Sequence, residues 1–273
     1  MSLNGATRWL SIGGFSFQPA ELLKPALVLY LASWLAFKDH RQRTVMSGLL
    51  PFLVIIGMVG GILIMQRSTA PVAVLMGTAV VMYFLSGARL RYVGIVVLIG
   101  VAALSFVINI TGYRSQRITS FLDQTSDLTN ANYQSNQAKT SFSAGGLTGA
   151  GYGNGVIKKR LPEPAGDSIF AVVGEEFGFL GSTALALAFA LLVGRLFILS
   201  QSCGDPFGRL ILIGIATIII GQVFLNMGAM VGLIPLTGTP LPFISYGGTH
   251  LAIFMSMMGV AVSISRRIVN DKP

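Results

Sequence analysis

The sequence predicts an all-α, polytopic membrane protein, and three observations carry that expectation. Apolar residues make up 53% of the 273 positions and charged residues only 11%, whereas soluble domains carry roughly 25%. Apolar runs near the length of about 20 residues that crosses a bilayer recur along the chain. These runs lack the every-second-residue alternation of barrel strands, so helices, which satisfy their own backbone groups, must do the spanning. The composition excludes a soluble enzyme and a disordered chain. A single cysteine, Cys203, excludes an internal disulfide and a cysteine metal cluster. The net charge of +9 would suggest nucleic acid for a soluble protein. In a membrane chain it fits loops held against anionic lipid, so membrane lipids are the expected contact and nucleic acid is not.

Seven runs are the expected spans, at 19–37, 45–65, 70–87, 91–110, 168–199, 208–232 and 248–265, within one integral membrane domain covering 1–273. The first opens on Pro19, suited to a first helical position, and Pro25 should bend it. The third and seventh are short. Connections at 38–43 and 86–92, the join between Arg195 and Arg209, and the tail with Arg266, Arg267 and Lys272 are the basic ones. They are expected on the cytoplasmic side, which puts the C-terminus inside. Residues 111–167 then form one large extracytoplasmic loop, polar in its first half and glycine-rich in its second. Loops of this length translocate regardless of charge and are usually functional. Residues 9–17 are too short and glycine-rich for a secretory signal. Seven spans with a cytoplasmic end put Met1 outside, and the expectation is that earlier helices are missing.

Ionisable groups in or beside spans are expensive and are candidates for function. Glu21 and Lys24, in QPAELLKP, have two readings. Glu21 at the third helical position can cap free N–H groups, with Lys24 paired to it at i, i+3, or the two can serve chemistry. Asp167, at the mouth of the fifth run, can be a helix cap or a general base whose pKa is raised in a cleft. On a continuous helix, Gly174, Gly178 and Gly181 share a stripe with Asp167 and admit close approach of another helix. Glu175 and Glu176 cannot both face lipid and should meet basic or backbone donors. Flexible backbone at 145–155 beside Lys158, Lys159 and Arg160 could hold a pyrophosphate, or could be a solvated loop on lipid headgroups. It is not a nucleotide loop, having no GK[ST] and no GxGxxG. The uncharged stretch 232–250, rich in proline and glycine, reads as a re-entrant or packed outer loop. His40 and His250 have no partner at metal-ligand spacing, so no metal site is expected.

Five stretches together resemble the SEDS family (shape, elongation, division and sporulation), which includes FtsW and RodA. They are 4–24, RITSFLD at 117–123, 133–155, LPEPAGDSIFAVVGEEFGFLG at 161–181 and GLIPLTGTPLPFISYGG at 232–248. In detail the likeness is closer to FtsW. Family members have about ten helices, so the resemblance implies that the first three are absent here. It implies a peptidoglycan glycosyltransferase of the bacterial cytoplasmic membrane that polymerises lipid II on the outer face. The partners implied are lipid II, the undecaprenyl-pyrophosphate-linked glycan and a class B penicillin-binding transpeptidase. The family's essential acid falls on Asp167, and its charged pair on Glu21 and Lys24. Arg8, Gln18, Lys158, Lys159, Arg160, Glu163 and Ser245 complete the expected substrate-binding set. No cofactor is required by the sequence, although a divalent cation, Mg or Mn, could share the stabilisation of the leaving pyrophosphate with Arg8 and residues 158–160. Two departures stand out. Ser68 occupies the place of the family's usual carboxylate in Gln66–Pro71, and Ala165-Gly166 replaces the usual His-Thr before the acid. The competing readings are a lipid-precursor flippase, which would need charges reachable from both leaflets, and a non-catalytic scaffold for a transpeptidase.

Overall fold

The computed structural model describes residues 10–12, 15–36, 44–66, 69–110 and 130–270. Among them, a short antiparallel hairpin, β1 (Leu10–Ile12) with β2 (Phe15–Phe17), sets Leu10 opposite Phe17 and leads into the helices. The helices are α1 (Pro19–Ala36), α2 (Leu50–Met65, entered through a π turn at Val45–Leu49), α3 (Thr69–Leu85) and α4 (Leu90–Ile110). They continue with α5 (Asn130–Gly145), α6 (Ile169–Gln201), α7 (Pro206–Met230) and α8 (Gly248–Asn270). The chain is thus helical, as its composition requires. Among the described residues, each of the seven apolar runs lies largely on a helix. Four segments are long and apolar enough to cross a membrane: Val45–Met65, Ile169–Gln201, Pro206–Met230 and Gly248–Ile268. Ala70–Leu85 and Leu90–Ser105 are apolar but shorter, and α1 carries Glu21 and Lys24. Among the described residues, length and composition thus mark four segments as candidate crossings, and the expected count of seven is not confirmed. The apolar part of Ile169–Gln201 is only 22% buried within the protein, and Leu187, Leu191 and Ile198 point outward from it. Such a surface needs lipid around it.

The chain divides into two compact units. The first comprises Met1–Val101, Val193–Gly221 and Gly248–Pro273, and the second Ala102–Leu192 and Gln222–Gly247. In the first unit, α1 packs on α3 and α8, and α2 on α3. Leu27, Val28, Leu31, Leu75, Met82, Leu212 and Phe254 form its buried interior. Phe52 stacks on Tyr83 with ring centres 4.3 Å apart. Pro25 lies inside α1, as expected.

The second unit is built on α5 and the first half of α6. α5 falls in the stretch read as an open polar loop, because its Asn, Gln, Ser and Thr residues carry no apolar signal. Packing makes it a helix: Ala138, with Phe142 beside it, joins Phe170, Ala171, Ala229, Met230 and Leu161 in one apolar cluster. The approach is close. A side chain on Gly145 would run into the Gly174 carbonyl, and one on Gly174 into the Phe142 ring. Gly174 thus serves helix contact as its spacing suggests.

Gly178 does not. Its φ of 64° and ψ of −160° break α6 there, so the stripe computed for a continuous helix ends at this residue. The left-handed φ suits glycine, and a Cβ would overlap Gly149 N and Leu147. A break inside an apolar span strands backbone groups that must be satisfied locally. The loop after α5 does this. Ala150 N and Gly151 N donate to the carbonyls of Glu175 and Glu176 (2.9 and 3.0 Å), and Phe179 N and Leu180 N donate to those of Gly146 and Leu147 (2.9 and 3.1 Å). The glycine-rich run therefore splints a broken helix.

Candidate active site

Asp167 stands in the turn before α6, which begins at Ile169. Its residue is half-buried. Four tethers hold this turn within the second unit. Asn226, a buried amide of α7, donates one Nδ2–H to the Asp167 carbonyl (2.8 Å) and the other to that of Thr239 (2.7 Å). Ser245 Oγ donates to the Gly166 carbonyl (2.8 Å) while accepting from Leu241 N (2.7 Å). Tyr246 N donates to the Ala165 carbonyl (2.8 Å). Ser168 Oγ donates to Pro162 O (2.8 Å) and accepts from Gln134 of α5 (2.9 Å). The stretch 232–247 is thereby folded onto the Asp167 turn as a packed loop, which is how uncharged irregular backbone persists at membrane depth. Gly238, with φ of 64°, lies against the acid: a Cβ there would sit 3.1 Å from Asp167 Oδ2. The carboxylate is fixed through its backbone on one side and met by side-chain-free backbone on the other.

Eight residues further on, Glu175 is 2% exposed and needs compensation. It receives three backbone donors: Val156 N and Ile157 N on Oε1 (2.5 and 2.7 Å) and Lys158 N on Oε2 (2.9 Å). Gly155 makes room, since a Cβ would come within 2.9 Å of the carboxylate. Lys158 Nζ pairs with Glu176 and donates to Gly153 O (3.1 Å). The two adjacent acids therefore meet backbone and lysine donors, and Lys158 is already engaged. Lys159 and Arg160 remain exposed, and the Arg160 carbonyl accepts from Tyr133 OH at 3.3 Å. Glu163 is exposed in a left-handed turn with φ of 48°.

A separate charged cluster lies in the first unit. Lys24 Nζ, fully buried, sits 2.7 Å from each oxygen of Glu21. Glu21 also receives His250 Nδ1 at 2.9 Å. Phe254 lies 5.2 Å below the ammonium and carries the imidazole beside it, ring centres 4.8 Å apart. Sequence spacing gave the i, i+3 pair. It missed His250, whose partner lies 229 residues away, and Asn226. The available signal for both was the same: a hydrogen-bonding side chain in an apolar span. Gln18 is half-buried just before α1, where its carbonyl accepts from Glu21 N at 2.9 Å. Arg8, His40, Ser68 and the segment 117–123 lie outside the described residues. Among the described residues, no group of three or more His, Cys, Asp or Glu side chains could hold a metal ion.

The family model described as cell cycle protein, covering FtsW, RodA and SpoVE, matches residues 1–269. The chain belongs to this family. It is 38% identical over 268 residues to the probable peptidoglycan glycosyltransferase FtsW of Geobacter sp. (strain M18), covering 97% of this chain and 72% of that one. It is 36% identical over 267 residues to the stage V sporulation protein E of Bacillus subtilis (strain 168), covering 97% and 73%. Among solved structures, one described as a peptidoglycan synthase complex coordinating polymerization and crosslinking superposes with a TM-score of 0.80 at 28% identity, over 99% of this chain and 76% of that one. The rod shape determining protein RodA of Thermus thermophilus gives 0.66 at 27% identity, over 97% and 71%. The FtsW/RodA/SpoVE fold is thus shared across the chain, and with it a place in a membrane.

Proposed function

We propose that this family member is a peptidoglycan glycosyltransferase that polymerises lipid II at the outer face of the bacterial cytoplasmic membrane, with its C-terminus in the cytoplasm. The observation that carries the reading is the Asp167 turn: a half-buried aspartate whose backbone turn is held at the carbonyls of Asp167, Gly166 and Ala165 by Asn226, Ser245 and Tyr246, with Gly238 against Oδ2. The curated relative's name supplies the reaction class, and the buttressed acid supplies a base for it.

The reaction is an inverting single displacement. The growing glycan, linked to undecaprenyl pyrophosphate, is the donor. A sugar hydroxyl of an incoming lipid II attacks its anomeric carbon, the new glycosidic bond forms, and the bond to pyrophosphate breaks with its electron pair. Asp167 takes the hydroxyl proton. One base on the attacking side suffices for inversion, by analogy with glycosidases. Confinement of both lipids to one leaflet supplies proximity. Lys159 and Arg160, exposed and close along the chain to the splinted helix, are the cations available to the leaving pyrophosphate. Glu21 and Lys24 satisfy one another and act as positioning residues. A class B transpeptidase is the partner on this reading, in keeping with the crosslinking complex that the fold matches.

The test is polymer formation from purified lipid II in detergent. Asp167→Asn should insert normally and lose about 10²–10⁴-fold of the activity, the usual contribution of a general base. Wild-type polymer yield from that variant removes the assignment. A wild-type protein that makes no polymer but moves lipid II across vesicles would be a flippase instead.

A further inference from the structure

His250 stands in the first turn of α8, buried, and is not one of the residues the family resemblance marks. A carboxylate only accepts hydrogen bonds, so the 2.9 Å contact with Glu21 Oε2 requires Nδ1 to carry the hydrogen. Lys24 already balances the charge of Glu21, with Nζ 2.7 Å from both oxygens. The other ring nitrogen, Nε2, is a buried atom with no hydrogen-bond partner. Among the described residues, the titratable groups that meet the ring are Glu21 and, through it, Lys24, both from α1, and Phe254 covers the ring from α8 itself.

We propose that His250 is a positioning residue: its Nδ1–H fixes Glu21 Oε2, so that the pair becomes a triad and the Lys24 ammonium is held in one place. Without this donor, Glu21 can rotate about its last torsion and carry Lys24 with it. The hydrogen bond ties α8 to α1 at the only ionic site described within α1. The inference rests on the glycosyltransferase reading for its activity readout, because it assumes that the Glu21–Lys24 pair serves polymerisation.

The geometry makes a sharp distinction between two amides. The Asn side-chain nitrogen can stand where Nδ1 stands, whereas the Gln nitrogen stands near Nε2. In the full chain with lipid II in detergent, His250→Asn should retain activity within about threefold, while His250→Gln and His250→Phe should each lose about tenfold or more, the scale of a lost hydrogen bond to a charged group. The loss should fall on kcat, and His250→Phe should add nothing further to a Lys24→Met background. Equal activity in the Asn, Gln and Phe variants overturns the proposal, as does an Asn variant no better than the Phe one. A second measurement needs no activity. The chain has two histidines, so nitrogen-15 spectra of histidine-labelled protein, with and without His250→Asn, report the tautomer of His250. The Nδ1–H form is expected, and an Nε2–H form refutes the proposal. Absence of polymer from the wild type alongside the expected tautomer would count against the glycosyltransferase reading and leave the triad geometry standing.

Discussion

Glu21 and Glu175 are both buried carboxylates on helices of an apolar protein, 6% and 2% exposed, yet they are compensated in opposite ways. Glu21 meets other side chains, Lys24 and His250. Glu175 meets three backbone N–H groups from a loop, and the helix carrying it is broken three residues later at Gly178. A side-chain partner can be replaced by mutation, but a backbone donor cannot. The first arrangement should therefore be dispensable for folding if removed whole, and the second should not be.

The largest effect should come from halving the first cluster. Lys24→Met leaves the Glu21 charge buried with only an imidazole donor, and loss of one partner from a buried pair costs about 3–5 kcal/mol. Replacing the whole cluster, with Glu21→Leu, Lys24→Met and His250→Phe together, should return the melting temperature in detergent to near the wild-type value, since buried ionic groups are often exchanged for apolar ones without loss. That triple variant should be folded but inactive with lipid II. A triple variant as unstable as Lys24→Met would show that the cluster is structural.

Glu175→Leu comes next. Val156, Ile157 and Lys158 N–H groups lose their acceptor together, at about 1 kcal/mol or more each, so about 3 kcal/mol is expected and no second substitution should restore it. The loop should then open to trypsin at Lys158, Lys159 and Arg160, read as a new early fragment on a gel. Unchanged digestion and melting would mean that the cradle contributes nothing.

The same contrast explains what the sequence disclosed. The apolar helices were legible because lipid demands apolar length, although four and not all seven meet the length and composition of a crossing among the described residues, and the Glu21–Lys24 pair was legible because i, i+3 spacing on a helix is local. Asp167 was visible as an acid at the head of a span, with cap and base undecided. Residues 130–145 read as loop because their polar sequence carries little apolar signal, while Ala138 and Phe142 pack on partners distant in the chain. The break at Gly178 was invisible since glycine spacing looks the same in a continuous helix, and its splint comes from a loop some 30 positions earlier in the chain. His250 and Asn226 were missed for one reason: each is defined by a partner distant in sequence.

The smallest of the three effects on stability concerns Asn226, which mixes the two modes, being a side chain that donates to backbone on both sides. Asn226→Ala frees the carbonyls of Asp167 and Thr239. Two lost hydrogen bonds would cost about 2–3 kcal/mol, but Asn226 Oδ1 is itself buried without a partner, and removing an unsatisfied acceptor of this kind returns about 1 kcal/mol or more. A net loss of about 1–2 kcal/mol is expected. If Asp167 acts as the proposed base, the functional loss should exceed it, because the Asp167 turn loses its only side-chain tether from α7 among those described, and misplacement of a general base costs activity. Asn226→Asp separates the two contributions. It keeps the shape but removes both donors and sets a carboxylate against two carbonyls, so it should be less active than the alanine variant in polymerisation of lipid II. An aspartate variant as active as wild type would mean that the amide fills space and that Ser245 and Tyr246 alone hold the acid in place.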